Sequence, residues 1–175
     1  CGICGGDGSS CISVFLSIDN VDINAGTLDV YMQNVPSCSY CTDSQYSDEN
    51  SCSSFGNDGS GVASWMVDIS IDESSCAAMN GQYFNGEIGG FQFQLFGINV
   101  SGATGPPGMM VSTSSSTILG FSLTGGTIAP SSDGALLSTV SFTDYEGGTI
   151  CFGTENSCDG ASPNVVSDGS AECVN

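Results

Sequence analysis

Apolar and polar residues alternate with a period of two along much of this chain, and no segment holds a helical period over enough residues for a long amphipathic helix. Segments 12–18 (ISVFLSI) and 27–33 (TLDVYMQ) read as strands, the second placing Leu28, Val30 and Met32 on one face. Between them DNVDINAG is a turn-rich connection. The alternation lapses over 35–64 and returns at 65–71 (WMVDISI). It then gives way at SSCAAMNG to a single helical turn, with Ser74 as its cap and Gly81 as its stop. Over 90–100 (GFQFQLFGINV), Phe91, Phe93 and Leu95 alternate with Gln92 and Gln94, as a strand with one face in a core and one in water requires. Further strands are expected at 109–112, 118–123, 127–128, 136–142 and 149–152, parted by Gly, Pro and Ser, while the closing NVVSDGSAECVN shows no clear final strand.

About nine short strands, with turn signals roughly every eight to twelve residues, predict an all-β fold: an antiparallel β-sandwich or jelly roll. The 175 residues fit one domain able to bury a real core. Its expected organisation is a Cys/Gly-rich linker or knot at 1–11, then a sandwich domain at 12–175 with a cysteine-rich insertion at about 35–64. A patternless stretch of that length is uncommon in a compact domain, so the insertion is expected to be organised by its own bridges and to carry function or contact surface.

Charge changes the picture most. The chain has no Lys, Arg or His against 19 Asp and Glu, yet charged residues total only 11%. A typical protein has about 25%, so the anomaly is missing bases and not surplus acids. With bases at roughly 12% per position, drawing none in a chain this long has odds on the order of one in a billion or less. Without them there is no means of neutralising phosphates, which argues against nucleic acid as a partner, and no patch for an anionic membrane. No side-chain ion pair can form, so the carboxylates repel one another unless cations, salt or spacing relieve them. No apolar run approaches the roughly 20 residues of a membrane-spanning helix. The chain opens at Cys1 without Met or a signal-peptide pattern, so a processed product or a piece of something longer is expected.

Ten cysteines, Cys1, Cys4, Cys11, Cys38, Cys41, Cys52, Cys76, Cys151, Cys158 and Cys173, leave two readings. Cys1-x-x-Cys4 and Cys38-x-x-Cys41 have the spacing of zinc knuckles. Zinc ribbons surround their thiolates with bases that are absent here, whereas an even cysteine count in a Gly/Ser/Asn-rich chain suits disulfides in an oxidising, extracellular or cell-surface setting. Disulfides are therefore expected. Their pairing stays open, with closure mostly within each cysteine-dense segment or onto near neighbours.

The same absences constrain catalysis. Without His no Ser-His-Asp or Cys-His arrangement can be built, and without Lys or Arg there is no Schiff base or phosphate clamp. A glycosidase-like carboxylate pair is the surviving option, from Asp68, Asp72, Glu73, Asp144 and Glu146, but close carboxylates arise by chance among 19. The expectation is no enzyme. Calcium is the one cofactor expected, since hard cations take oxygen ligands and Asp19, Asp22 and Asn24 offer them at loop spacing. Asp43, Asp48, Glu49, Asn57 and Asp58 form a second cluster. No complete calcium loop occurs, and Asp and Asn serve equally as turn residues. Asn99-Val-Ser101 is an N-glycosylation sequon, and 112–117 could carry O-linked sugar. Tyr31, Tyr40, Tyr46, Trp65 and Tyr83 would serve either as a sugar-stacking platform or, more simply, as packing.

Two stretches resemble known families. CGICGGDGSSC, at 1–11, resembles the CGxCGGDxSSC element of ADAMTS-type secreted proteins, which implies an extracellular setting and says nothing of activity. GFQFQL, ILGFSL, and LLSTVSF followed by GGTICF are similar, in that order, to core strands of cohesin-like modules over about 90–152. Those are nine-stranded jelly-roll sandwiches of large surface and scaffold proteins, and the cysteine-rich insertion departs from their pattern. The resemblance implies fold and setting; no partner-contact residue carries over. The chain is thus expected to be a structural module of a surface, matrix or filament assembly, partnered by copies of itself or neighbouring modules. The alternative is a module recognising carbohydrate or protein.

Overall fold

The computed structural model describes residues 13–153, 165–168 and 173–174. These form an all-β protein of antiparallel sheets with two short helices. The expected linker at 1–11, with Cys1, Cys4 and Cys11, and also Cys158, lie outside the described residues.

The chain divides into two compact units, one drawn from Cys1–Asn34 and Glu87–Asn175, the other being Val35–Gly86. The first holds two sheets. In one, the strands β1 (Val14–Asp22), β2 (Thr27–Asn34), β7 (Asn99–Ala103) and β10 (Ser131–Thr143) lie in the order β1-β2-β10-β7. In the other, β6 (Ile88–Phe96), β8 (Met110–Thr113), β9 (Thr117–Phe121), β12 (Val165–Asp168) and β13 (Cys173–Val174) lie in the order β13-β12-β6-β9-β8, and β11 (Cys151–Phe152) also pairs with β6. Each sheet buries one side. Leu28, Val30, Met32, Val140 and Phe142 are the buried row of the first, and Phe91, Phe93, Leu95 and Ile118 that of the second, which makes the sandwich core. Phe93, fully buried, stacks on Phe91 at 5.8 Å between centroids and meets Phe152 edge-on at 5.7 Å. Burying such a side chain is worth roughly 1.5–3 kcal/mol.

Several elements differ from the sequence-based expectation for identifiable reasons. The single strand expected over 90–100 is two, because Gly97 adopts φ +87°, closed to side chains, with the Thr149 carbonyl where a Cβ would stand. There the chain leaves one sheet as β6 and enters the other as β7. Residues 127–128 give only a bridge, Ile88 to Ile128. The tail, where no final strand was expected, supplies β12, whose Val166 is buried opposite Phe91.

The second unit extends beyond the expected 35–64 insertion and takes in the strand at 65–71 as well. Its sheet, in the order β4-β3-β5, comprises β3 (Ser37–Cys41), β4 (Trp65–Asp68) and β5 (Gln82–Phe84), with helices α1 (Glu49–Phe55) and α2 (Glu73–Ala78). β4 stops short of residue 71 because the Ser70 N–H and hydroxyl both donate to Asp68 Oδ1, at 2.7 and 2.6 Å, and turn the chain. The cap of α2 is Asp72 and not Ser74, since Asp72 Oδ1 accepts from the Ser75 N–H at 2.8 Å.

Candidate functional site

Cys38 and Cys41 stand three apart in an extended strand, so their side chains leave opposite faces of β3. Cys38 is bonded to Cys76 of α2 and Cys41 to Cys52 of α1, so each helix is fastened by its own bridge. In this strand the C-x-x-C spacing therefore cannot present two thiolates to one zinc ion. Gly81 lies against the first bridge: a Cβ there would stand 2.9 Å from the sulfurs of both Cys38 and Cys76. Around the second, Cys41, Cys52 and Ala63 form a small core on which Tyr46 and Trp65 pack. For Tyr46 and Trp65 the packing reading therefore holds. Tyr40 and Tyr83 remain half-buried on β3 and β5. Cys41–Cys52 closes locally as expected, whereas Cys38–Cys76 spans 38 residues. Cys151 is also disulfide-bonded, and Cys173 lies in β13.

Nearly half of the fifteen described carboxylates shape backbone. Seven of them accept backbone N–H groups: Asp19 from Asn20, Asp22 from Asn24 and Ala25, Asp43 from Gln45 and Asn57, Asp48 from Ser51, Asp58 from Ser60, Asp68 from Ser70 and Asp72 from Ser75. In Asp48, Asp58, Asp68 and Asp72 such bonds hold the charged form. The Ser51 N–H at the start of α1 keeps Asp48 below the ordinary carboxylate range, and the hydroxyls of Ser60, Ser70 and Ser74 do the same for Asp58, Asp68 and Asp72. Asp144 accepts from the Thr143 hydroxyl at 3.0 Å and from the Asn99 amide at 3.1 Å. Of the five residues available for a glycosidase pair, Asp68, Asp72 and Glu73 belong to one unit and Asp144 and Glu146 to the other.

The expected calcium ligands share the β1–β2 hairpin. Asp19 is in β1 and Asp22 ends it, while Asn24 is in the turn; all three are exposed. Asp22 Oδ1 already takes two backbone N–H groups at 2.9 Å. Among the described residues no three Cys, Asp or Glu side chains gather as a metal ion would need. What the hairpin does contain is a like-charged pair, since Asp19 stands directly opposite Asp29 of β2. Such pairs are destabilising unless relieved. Relief comes from neutral donors: a bulge after Asp19 puts Asn20 at φ +49°, from where its amide donates to Asp29 Oδ2 at 2.9 Å, and the Thr139 hydroxyl donates to Asp29 Oδ1 at 2.7 Å. Asn20 first and Thr139 second pull the Asp29 carboxyl below its usual range. Asn20 escaped the sequence reading; its signal is an Asn between two strand residues, the type most tolerant of left-handed backbone.

Asn99 of the sequon is exposed at the start of β7.

The outward side of the six-stranded sheet is the remaining feature. Opposite its buried row, β6 presents Gln92, Gln94 and Phe96, β9 presents Thr117, Leu119 and Phe121, and β8 presents Met110 and Ser112. Leu119 neighbours Gln92 and Ser112, and Met110 faces Phe121. None is charged. Phe96, Met110 and Leu119 keep 46%, 52% and 39% of their surface in solvent.

Comparison with protein-family models, with curated proteins and with solved structures found no match for this chain. No helix among the described residues is long and apolar enough to cross a membrane.

Proposed function

We propose that this chain is an extracellular structural module of a surface, matrix or filament assembly, made durable by disulfides. The observation that carries this reading is the use to which its polar chemistry is put. Seven of the fifteen described carboxylates are turn formers or caps, and four described cysteines are buried in two bridges, so much of the chain's polar chemistry goes into holding the backbone. The bridges favour an oxidising compartment. A chain free of Lys and Arg offers trypsin-like proteases no cleavage site, which suits a long-lived external protein. The cohesin-like order of strands points the same way, toward modules of scaffold proteins. Calcium on the β1–β2 hairpin, held by Asp19, Asp22 and Asn24, would add to stability without altering the role.

Electron microscopy of native material tests this. Ordered polymers containing the chain are the expected result; dispersed monomers would overturn it. A second reading, carbohydrate recognition, is favoured by one observation, the side-chain amides Gln92 and Gln94 on the same outward face as Phe96 and Phe121. A glycan array addresses it.

A further inference from the structure

The uncharged face of β6, β9 and β8 occurs on a chain of formal charge −19 with no base. Two copies approaching through carboxylate-bearing surfaces bring like charges within a screening length, about 8 Å at physiological salt. The outward side of the four-stranded sheet is such a surface, with Asp19 and Asp29 set side by side. A partner rich in Lys or Arg would be drawn to those acidic surfaces. The occupant of the neutral face is therefore itself uncharged at the contact, and the chain supplies such a surface in its own second copy. Pairing a patch with itself about a two-fold axis needs no other complementarity.

We propose that this face packs against the same face of a second copy, an inference that rests on the assembly reading above. Phe96, Met110, Leu119 and Phe121 form its apolar part, and Gln92 and Gln94 its polar part. At about 4.8 Å between strands and roughly 6.8 Å between outward positions, the eight positions cover about 260 Å² per copy. A stable dimer buries about 800 Å² per partner, so a single contact is weak. Tethering modules in one polymer raises their effective concentration and makes many weak contacts sufficient. The face is thus a lateral contact between strands of an assembly and not the bond that makes a free dimer.

The test is sedimentation equilibrium of the oxidised full chain over a concentration series reaching the millimolar range, in 0.15 M salt. Reversible self-association is expected, strengthened by added salt because screening relieves net repulsion. Leu119→Asp sets two carboxylates against each other across the axis and is expected to weaken association at least tenfold. Leu136→Asp alters a leucine on the other sheet that is more exposed still, 49% in solvent, and is expected to leave association unchanged. A wild-type chain that stays monomeric throughout overturns the proposal, as does equal weakening by both variants, or a monomer that binds polysaccharide through Leu119. If Leu119→Asp still yields wild-type polymers by microscopy, this face is not the contact, while the assembly reading stands. If the wild type forms no polymers at all, the assembly reading fails with it.

Discussion

The ring of Phe91 lies over Gly120, its partner across the β6–β9 ladder, in the space that a Cβ on residue 120 would fill. The ring covers the glycine's backbone and supplies the packing its missing side chain would have made. Gly120→Ala forces the ring off its stack on Phe93 or pushes the strands apart. The expected cost is roughly 1–3 kcal/mol, read from denaturant midpoints at unchanged slope. A loss below about 0.5 kcal/mol would mean that the ring has room to move.

Removing each bridge in turn should distinguish their contributions. The Cys38–Cys76 bridge closes a longer loop than Cys41–Cys52, 38 residues against 11. By loop entropy alone, replacing both cysteines with Ala costs about 4 kcal/mol for the first and about 3 kcal/mol for the second. Pairwise Cys→Ala variants compared by urea unfolding check the order. The opposite order would place the difference in packing of the small core around Cys41, Cys52 and Ala63, and not in chain entropy.

Strand alternation made the sandwich legible because each buried row is a regular i, i+2 series: Leu28, Val30 and Met32 in β2, and Phe91, Phe93 and Leu95 in β6. The second unit was legible only in part: the strand from Trp65, the helical turn around Cys76 and organisation by bridges were expected, whereas β3, β5 and α1 were not, since the buried side chains there are chiefly Ser37, Cys38, Cys41, Cys52, Ala63 and Cys76, and the cysteines' burial follows from bridges that no periodicity encodes. The change of sheet at Gly97 shows in the sequence only as a shift of phase, from Phe91, Phe93 and Leu95 to Val100, a signal one residue long. The neutral face could be seen only once register was known. Gln92, Leu119 and Ser112 are far apart in sequence and become neighbours through the ladders alone.

Acid dependence follows from Asp29. Its carboxyl is lowered by the Asn20 amide and the Thr139 hydroxyl, so its contribution to stability is fully present above the ordinary value of 3.8 and is lost as pH falls through the lower folded value. Thr139→Val removes one donor. The variant is expected to melt below wild type at pH 7, with the gap closing as pH falls from 3.8 toward 2. A gap that persists unchanged at pH 2 would assign the loss to packing. With no His or Lys in the chain, wild-type stability should be level from about pH 6 to 9, which differential scanning calorimetry would show.

Cations are the last question, because screening and specific binding predict different results. Repulsion among carboxylates with no basic partners means that any salt should raise the melting temperature, monovalent salt included, with the largest gain between about 0.01 and 0.15 M. A calcium ion held by Asp19, Asp22 and Asn24 should add to this at matched ionic strength, exceed magnesium, and be reversed by chelator. Asp22 also holds the turn through the Asn24 and Ala25 N–H groups, so Asp22→Ala lowers the melting temperature whether or not calcium binds. The informative quantity is the calcium-dependent increment, which should vanish in that variant if the hairpin is the site. An increment equal for calcium and magnesium, and unchanged by Asp22→Ala, would leave general screening as the whole effect, with the Asn20 and Thr139 donors as the hairpin's own answer to its paired charges.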